Sequence, residues 1–182
     1  MVSPSAANVV TSVARRLNGD VVTVTISRPS KLNSLNVSLL ELFTNTIQEL
    51  PQRYPNLMAV VITGEGSKAF VVGADVSEIS MVDTPAAARQ FITKFHLAFK
   101  SIRECPAPVI GRINGYALGA GLAIAASCDF RVASSNAVFG MPEVWFLNFP
   151  LCILWSRINL GLIVNRCALG YQAWLNQPYF LG

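Results

Sequence analysis

Apolar and polar residues alternate over residues 21–26 (VVTVTI), the period of a half-buried strand, and the pattern stops at the Arg28-Pro29 turn. A helical period follows. Leu39, Phe43, Ile47 and Leu50 share one face, and Ser38 with Glu41 forms an S-x-x-E pattern that predicts a capping box at the helix start. Residues 57–63 (LMAVVIT) form a continuous apolar run ended by Gly64 and Gly66, so strand, helix and strand make a β-α-β unit. Asp83-Thr84-Pro85 is a helix-start signal, and Phe91, Phe95, Phe99 and Ile102 repeat at helical spacing until Pro106 and Pro108. Residues 109–113 (VIGRI) and 128–133 (CDFRVA) read as two further strands, separated by a glycine turn that opens a helix. The alternation predicts an α/β domain with helices covering a largely parallel sheet.

From residue 145 the pattern is lost. The segment 145–182 holds all three tryptophans and two arginines, no acid, and no regular period. Two explanations stand side by side: a domain boundary, and a displaced reading frame or altered terminal exon. The expected organisation is a core over 1–144 followed by a divergent apolar tail over 145–182, which must be buried, paired with another subunit, or prone to association.

Composition narrows the classes. With 52% hydrophobic and 13% charged residues among 182, the chain is not a disordered one. The net charge of +4 is scattered, without a basic run to follow a phosphate backbone, so no nucleic-acid partner is expected. The most apolar window is interrupted by Asn148, Pro150, Arg157 and Asn159, so no membrane span is expected either. Cys105, Cys128, Cys152 and Cys167 form no C-x-x-C pair, and the N-terminus lacks a basic segment followed by an apolar core; reduced thiols in an intracellular protein are the expectation. No residue cluster suggests a metal.

Candidate chemistry lies in two glycine turns. Residues 115–129 (GYALGAGLAIAASCD) place Gly119-Ala120-Gly121 at the mouth of a helix, where backbone N–H groups lack intrahelical partners and the helix dipole is positive. Taken alone, the turn reads more readily as a device for tight helix–sheet packing. Residues 68–79 (KAFVVGADVSEI) supply a second such turn at Gly73, with a free N–H expected near Ala74. Two donors converging on one oxygen make an oxyanion hole.

K-A-F-x-x-G-A-D, I-N-G-Y-A-L-G-A-G, C-D-F-R and F-G-M-P-E, in that order, resemble the crotonase (enoyl-CoA hydratase/isomerase) superfamily over residues 18–144. More narrowly, the chain resembles fungal enoyl-CoA isomerase/hydratases of toxin or siderophore biosynthesis, with a C-terminus that is truncated or altered. The resemblance implies the crotonase-like fold of repeated ββα units, its C-terminal helical region missing or altered. It implies that the N–H groups of Ala74 and Ala120 hold the thioester oxygen and that Lys31 and Leu32 lie in the coenzyme A loop. Val72, Gly73 and Asp75 would flank the pantetheine path, with Gly119 and Gly121 at the second turn. Of the two glutamates that hydratases of the family use, the first position falls on Ala123 and the second on Glu143. A single glutamate suits double-bond migration, in which one base removes a proton from C2 and returns it at C4. The implied activity is an isomerase/hydratase acting on an acyl-CoA, with no cofactor beyond the coenzyme A of the substrate; the alternative is an inactive paralogue that binds acyl-CoA or a partner subunit. The resemblance further implies a homo-oligomer, trimer or hexamer, and a peroxisomal location, although the C-terminal YFLG is not a Ser-Lys-Leu address; otherwise the cytoplasm is expected.

Plainer roles compete for several residues. Asp75 reads as a helix N-cap, Asp129 as a structural residue at a strand start, Glu143 without the resemblance as a loop acid, and His96 as a residue beside an apolar helix face.

Overall fold

The computed structural model describes residues 7–142 and 162–164. The chain opens with a hairpin of two nine-residue strands, β1 (Asn8–Arg16) and β2 (Gly19–Ser27), antiparallel from Asn8 opposite Ser27 to Arg16 opposite Gly19. β1 was not among the elements expected from sequence. Its residues are largely exposed, so it lacks the one-sided apolar pattern of a core strand; its sequence signal is the Asn18-Gly19 pair at the hairpin turn.

The β-α-β unit forms as expected: β2, helix α1 (Val37–Arg53), and β3 (Leu57–Gly64) parallel to β2. The capping box does not. Asn36 is the N-cap, its carboxamide accepting the Leu39 N–H at 3.0 Å, so Ser38 lies inside the first turn and is exposed. A carboxylate distant in sequence takes the first amide of the helix: Glu78 accepts the Val37 N–H at 2.7 Å, while Glu41 pairs with Lys94 of the next long helix.

After β3 come β4 (Ala69–Val71), the short helix α2 (Val76–Ile79) and α3 (Pro85–Arg103), capped as expected by Thr84 with Pro85 in its first turn. β5 (Val109–Ile113), β6 (Tyr116–Leu118) and α4 (Ala120–Ser127) follow, then β7 (Phe130–Ala133), β8 (Val138–Gly140) and β9 (Leu162–Val164). The strands build two sheets rather than one. The larger runs β1-β2-β3-β5-β7-β9 and is parallel except for the β1–β2 pair; the smaller, β4-β6-β8, is parallel throughout. Each of β4, β6 and β8 has three residues, too few to show a period, and each follows a strand of the larger sheet. Strand, short strand and helix thus recur as a ββα unit, the crotonase-like arrangement.

Val22, Val24 and Ile26 of β2 and Val60 and Ile62 of β3 form one wall of the core, closed by Phe43 and Ile47 of α1 and Phe95, Ala98 and Ile102 of α3. At the C-terminus of α4 the buried Arg131 donates to the carbonyls of Ala125 and Cys128, at 3.1 and 2.6 Å, a cationic cap where the helix dipole is negative. β9 falls within the segment read as the apolar tail, and its backbone extends the larger sheet beside β7. The rest of 145–182 lies outside the described residues, as do the core's first six residues and Glu143 and Val144.

Candidate active site

The loop between β2 and α1 is built on Asn33. Leu32 and Asn33 both have left-handed backbones, φ 50° and 60°, a conformation Asn tolerates and Leu adopts at a cost. The buried Asn33 side chain accepts the Arg28 N–H at 2.9 Å and donates to the carbonyls of Glu65 and Ala69, at 3.0 and 2.9 Å. Asn114 donates to the carbonyls of Gly64 and Gly66, at 2.9 and 2.7 Å, so two asparagines, one before the 64–69 turn in sequence and one after it, hold that turn. Lys31 and Leu32, the residues expected to meet coenzyme A, are exposed at the outer bend of this loop.

The same loop carries the first glycine turn. Leu35 and Ala74 form a parallel bridge: the Leu35 N–H donates to Gly73 O at 2.8 Å, and the Asp75 N–H to Leu35 O at 2.9 Å. A bridge of this kind uses the amides on either side of its middle residue, so the N–H of Ala74 is turned away from Leu35. Val72 and Ala74 are half-buried and Gly73 is buried.

The second turn lies against the first. Gly73 has φ +104° and Gly119 has φ +52°, conformations that a side chain would strain. A methyl group built on Gly73 would stand 3.4 Å from Leu118 O and 3.8 Å from the Ala120 nitrogen, so the turns that were separate readings in the sequence adjoin in space. Gly119 donates to Gly140 O at 2.9 Å and opens α4, whose first amide is that of Ala120, and amides at this position have no partner within the helix. Gly121 has a packing role: a Cβ there would come within 2.7 Å of the Val71 carbonyl carbon, so its absence lets α4 lie directly on β4.

Asp75, expected near the pantetheine path, has both carboxylate oxygens engaged inside the protein. Oδ1 accepts from Ser77 N–H (3.1 Å) and Ser77 Oγ–H (2.7 Å), making it the N-cap of α2; Oδ2 pairs with Arg28 at 2.7 Å. Those hydrogen bonds, Ser77 foremost and then Arg28, hold its pKa down to about 2 against the opposing effect of burial. Arg28, Asn33, Glu78 and Asn114 were not singled out as site residues. Their signal in the sequence is only their polarity, and it takes the fold to show what they hold.

Ala123 stands half-buried on α4, its N–H bonded to Gly119 O at 3.1 Å, where the resemblance places a first glutamate. Glu143 lies outside the described residues, immediately after the last of them before β9. Asp129 has the structural role: its carboxylate accepts the Val109 N–H at 2.8 Å and its own N–H donates to Val109 O, joining β7 to β5. His96 is exposed on α3. Burial raises the thiol pKa of Cys105 and pushes that of Cys128 up to about 12. Among the described residues no group of three His, Cys, Asp or Glu is placed to hold a metal, and no helix is long and apolar enough to cross a membrane.

The two glycine turns thus adjoin because they follow β4 and β6, neighbouring strands of the smaller sheet, within repeated ββα units. The profile of the enoyl-CoA hydratase/isomerase family matches residues 16–158, and the chain belongs to that family. It is similar to the short-chain-enoyl-CoA hydratase of Clostridium acetobutylicum, 44% identical over 126 residues, covering 69% of this chain and 48% of that protein. It is also similar to the crotonyl-CoA hydratase of Syntrophomonas wolfei subsp. wolfei, 39% identical over 119 residues, 65% of this chain and 45% of the relative. Among solved structures, the enoyl-CoA hydratase from Bacillus anthracis superposes with a TM-score of 0.68 at 32% identity, covering 75% of this chain and 52% of that one. The chain thus spans about half the length of the curated relatives it matches.

Proposed function

We propose that the protein acts on an enoyl-CoA thioester, holding the thioester oxygen on the N–H groups of Ala74 and Ala120 and moving a double bond with one glutamate. The observation that carries this reading is the juxtaposition of the two turns, with a Gly73 methyl position 3.8 Å from the Ala120 nitrogen. The relatives' names support an enoyl-CoA substrate, and Ala123 favours isomerisation over hydration.

In the proposed reaction Glu143, as carboxylate, takes a proton from C2 of a 3-enoyl-CoA. The electron pair of the C2–H bond moves into the C1–C2 bond, giving a dienolate conjugated with the C3–C4 double bond, and the two amides stabilise the negative charge that gathers on the thioester oxygen. The protonated Glu143 then returns the proton at C4, leaving the double bond at C2–C3. Hydration needs, in addition, a group to orient and deprotonate water, and the position that supplies it in two-glutamate hydratases is here Ala123.

A role in fungal toxin or siderophore acyl-chain synthesis, a peroxisomal location, and assembly as a trimer or hexamer rest on the sequence resemblance alone. The test is conversion of 3-enoyl-CoA to 2-enoyl-CoA by the purified chain, with hydration of 2-enoyl-CoA measured beside it and Glu143→Gln as the control. The reading expects isomerisation that the neutral isostere abolishes. Turnover undiminished in Glu143→Gln removes the glutamate from the mechanism; acyl-CoA binding without turnover assigns the chain to the inactive paralogue.

A further inference from the structure

Resting on the oxyanion reading above, we propose that Arg28 and Asp75 are a positioning pair that aims the Ala74 amide, acting on the charge-bearing step and not on coenzyme A binding. Ala74 itself has no side-chain means of orienting its N–H. Its direction is set by the flanking peptide groups, and both are pinned to Leu35, at 2.8 Å through Gly73 O and at 2.9 Å through the Asp75 N–H.

Leu35 in turn belongs to the 28–36 loop, so the amide is only as well placed as the link between that loop and residues 73–78. Arg28 adds a charged side-chain link to those backbone bonds. Its Nη1 lies 2.7 Å from Asp75 Oδ2, 3.2 Å from Ser34 O and 3.2 Å from Ser34 Oγ, joining the residue after Ala74 to the residue before Leu35. The pair is largely shielded, with the Arg28 and Asp75 side chains 16% and 8% exposed, so solvent screens it little. On its other oxygen Asp75 caps α2 through Ser77, and Glu78 of the same helix accepts the Val37 N–H at 2.7 Å. Residues 73–78 are therefore tied to residues 28–37 by two backbone bonds and two carboxylates, with Ala74 inside the tied stretch.

The arrangement separates two effects. The exposed Lys31 and Leu32 form the outer bend of the loop, whereas Arg28 and Asp75 lie at its base. Losing the charge pair should leave the outer bend able to meet coenzyme A while loosening the amide.

The test uses the purified chain and 2,4-hexadienoyl-CoA, a conjugated thioester whose absorption moves to longer wavelength when its carbonyl is polarised. Asp75→Asn keeps the shape and an N-cap acceptor for Ser77 but removes the charge. At saturating ligand the wild type is expected to show the red shift and Asp75→Asn a smaller one. In the same variant kcat for isomerisation should fall roughly tenfold, the scale of a displaced and not a deleted donor, with KM within about threefold. Arg28→Leu should reproduce this loss and Arg28→Lys, which keeps the charge, should recover part of it; that comparison gives the same answer if Asp75→Asn does not fold. A wild-type shift retained in full by Asp75→Asn and Arg28→Leu, or a loss confined to KM, overturns the positioning role while leaving the oxyanion reading intact. A wild type that binds the ligand without any shift overturns both.

Discussion

Gly121→Ala adds one methyl group and is expected to damage both the fold and the chemistry. Built on Gly121, the new Cβ stands 2.7 Å from the Val71 carbonyl carbon, 2.9 Å from Val71 Cβ, and closer still to the Val71 carbonyl oxygen. Nonbonded carbons settle at about 3.5–4.0 Å, so the two elements must separate by about 1 Å. Neither can do so freely. Val71 is paired to Ala117 in the smaller sheet, and α4 is anchored at its far end by Arg131 and packed through Leu122, Ile124 and Ala125. No flexible side chain is available to move aside, which places the cost near the upper end of overpacking, about 3 kcal/mol, reduced by the gain that Ala brings over Gly in a helix, about 0.5–1 kcal/mol. For a domain of this size the net loss corresponds to a Tm lower by about 4–10 °C. Ala120 is the neighbouring residue, so its amide moves with the helix, and a misplacement of about 1 Å in a reacting geometry costs on the order of 10²-fold in kcat. Thermal unfolding by circular dichroism and the 3-enoyl-CoA conversion assay read the two effects on one sample. A variant with unchanged Tm and unchanged kcat would refute both the close α4–β4 packing and its connection to the Ala120 donor.

Three further outcomes are expected. Ala123→Glu, which restores the carboxylate on α4, should raise the ratio of hydration to isomerisation in a variant that folds; an unchanged ratio would show that position 123 does not face the reacting carbons. Asp75, whose pKa is held down to about 2, contributes stability that is present above the ordinary carboxylate pKa and lost as pH falls from about 4 toward 2. Urea unfolding across that window should therefore fall less steeply with acid in Asp75→Asn than in the wild type, and parallel curves would contradict the pairing. Cys128, buried with its thiol pKa near 12, should stay unlabelled by iodoacetamide at pH 8 until denaturant is added; mass spectrometry showing native-state labelling of Cys128 at the rate of a free thiol would place it at the surface.

Much of this molecule was legible before any coordinates. The alternation at 21–26, the helical stripe of Leu39, Phe43, Ile47 and Leu50, and the Thr84-Pro85 start each report a local periodicity or a local cap, and local physics is enough to specify them. The two glycine turns were legible as turns for the same reason, since positive φ at Gly73 and Gly119 is a property of single residues. Other features needed the fold. The helix before Leu39 is capped by Asn36 and by Glu78, forty-one residues from the amide it accepts, so the local S-x-x-E pattern pointed to the wrong partner. β1 is largely exposed, with only Val9 and Thr11 half-buried, and is held mainly by its pairing with β2, which leaves too short a stripe in the sequence to mark it. The three-residue strands β4, β6 and β8 are specified by which edge they meet, and only their parallel pairing divides the structure into two sheets. Residues 73 and 120 are far apart along the chain and make one candidate site because β4 and β6 are neighbours in the smaller sheet. Their residue types were readable in the sequence; their separation of a few ångströms is a consequence of strand order, which only long-range packing decides.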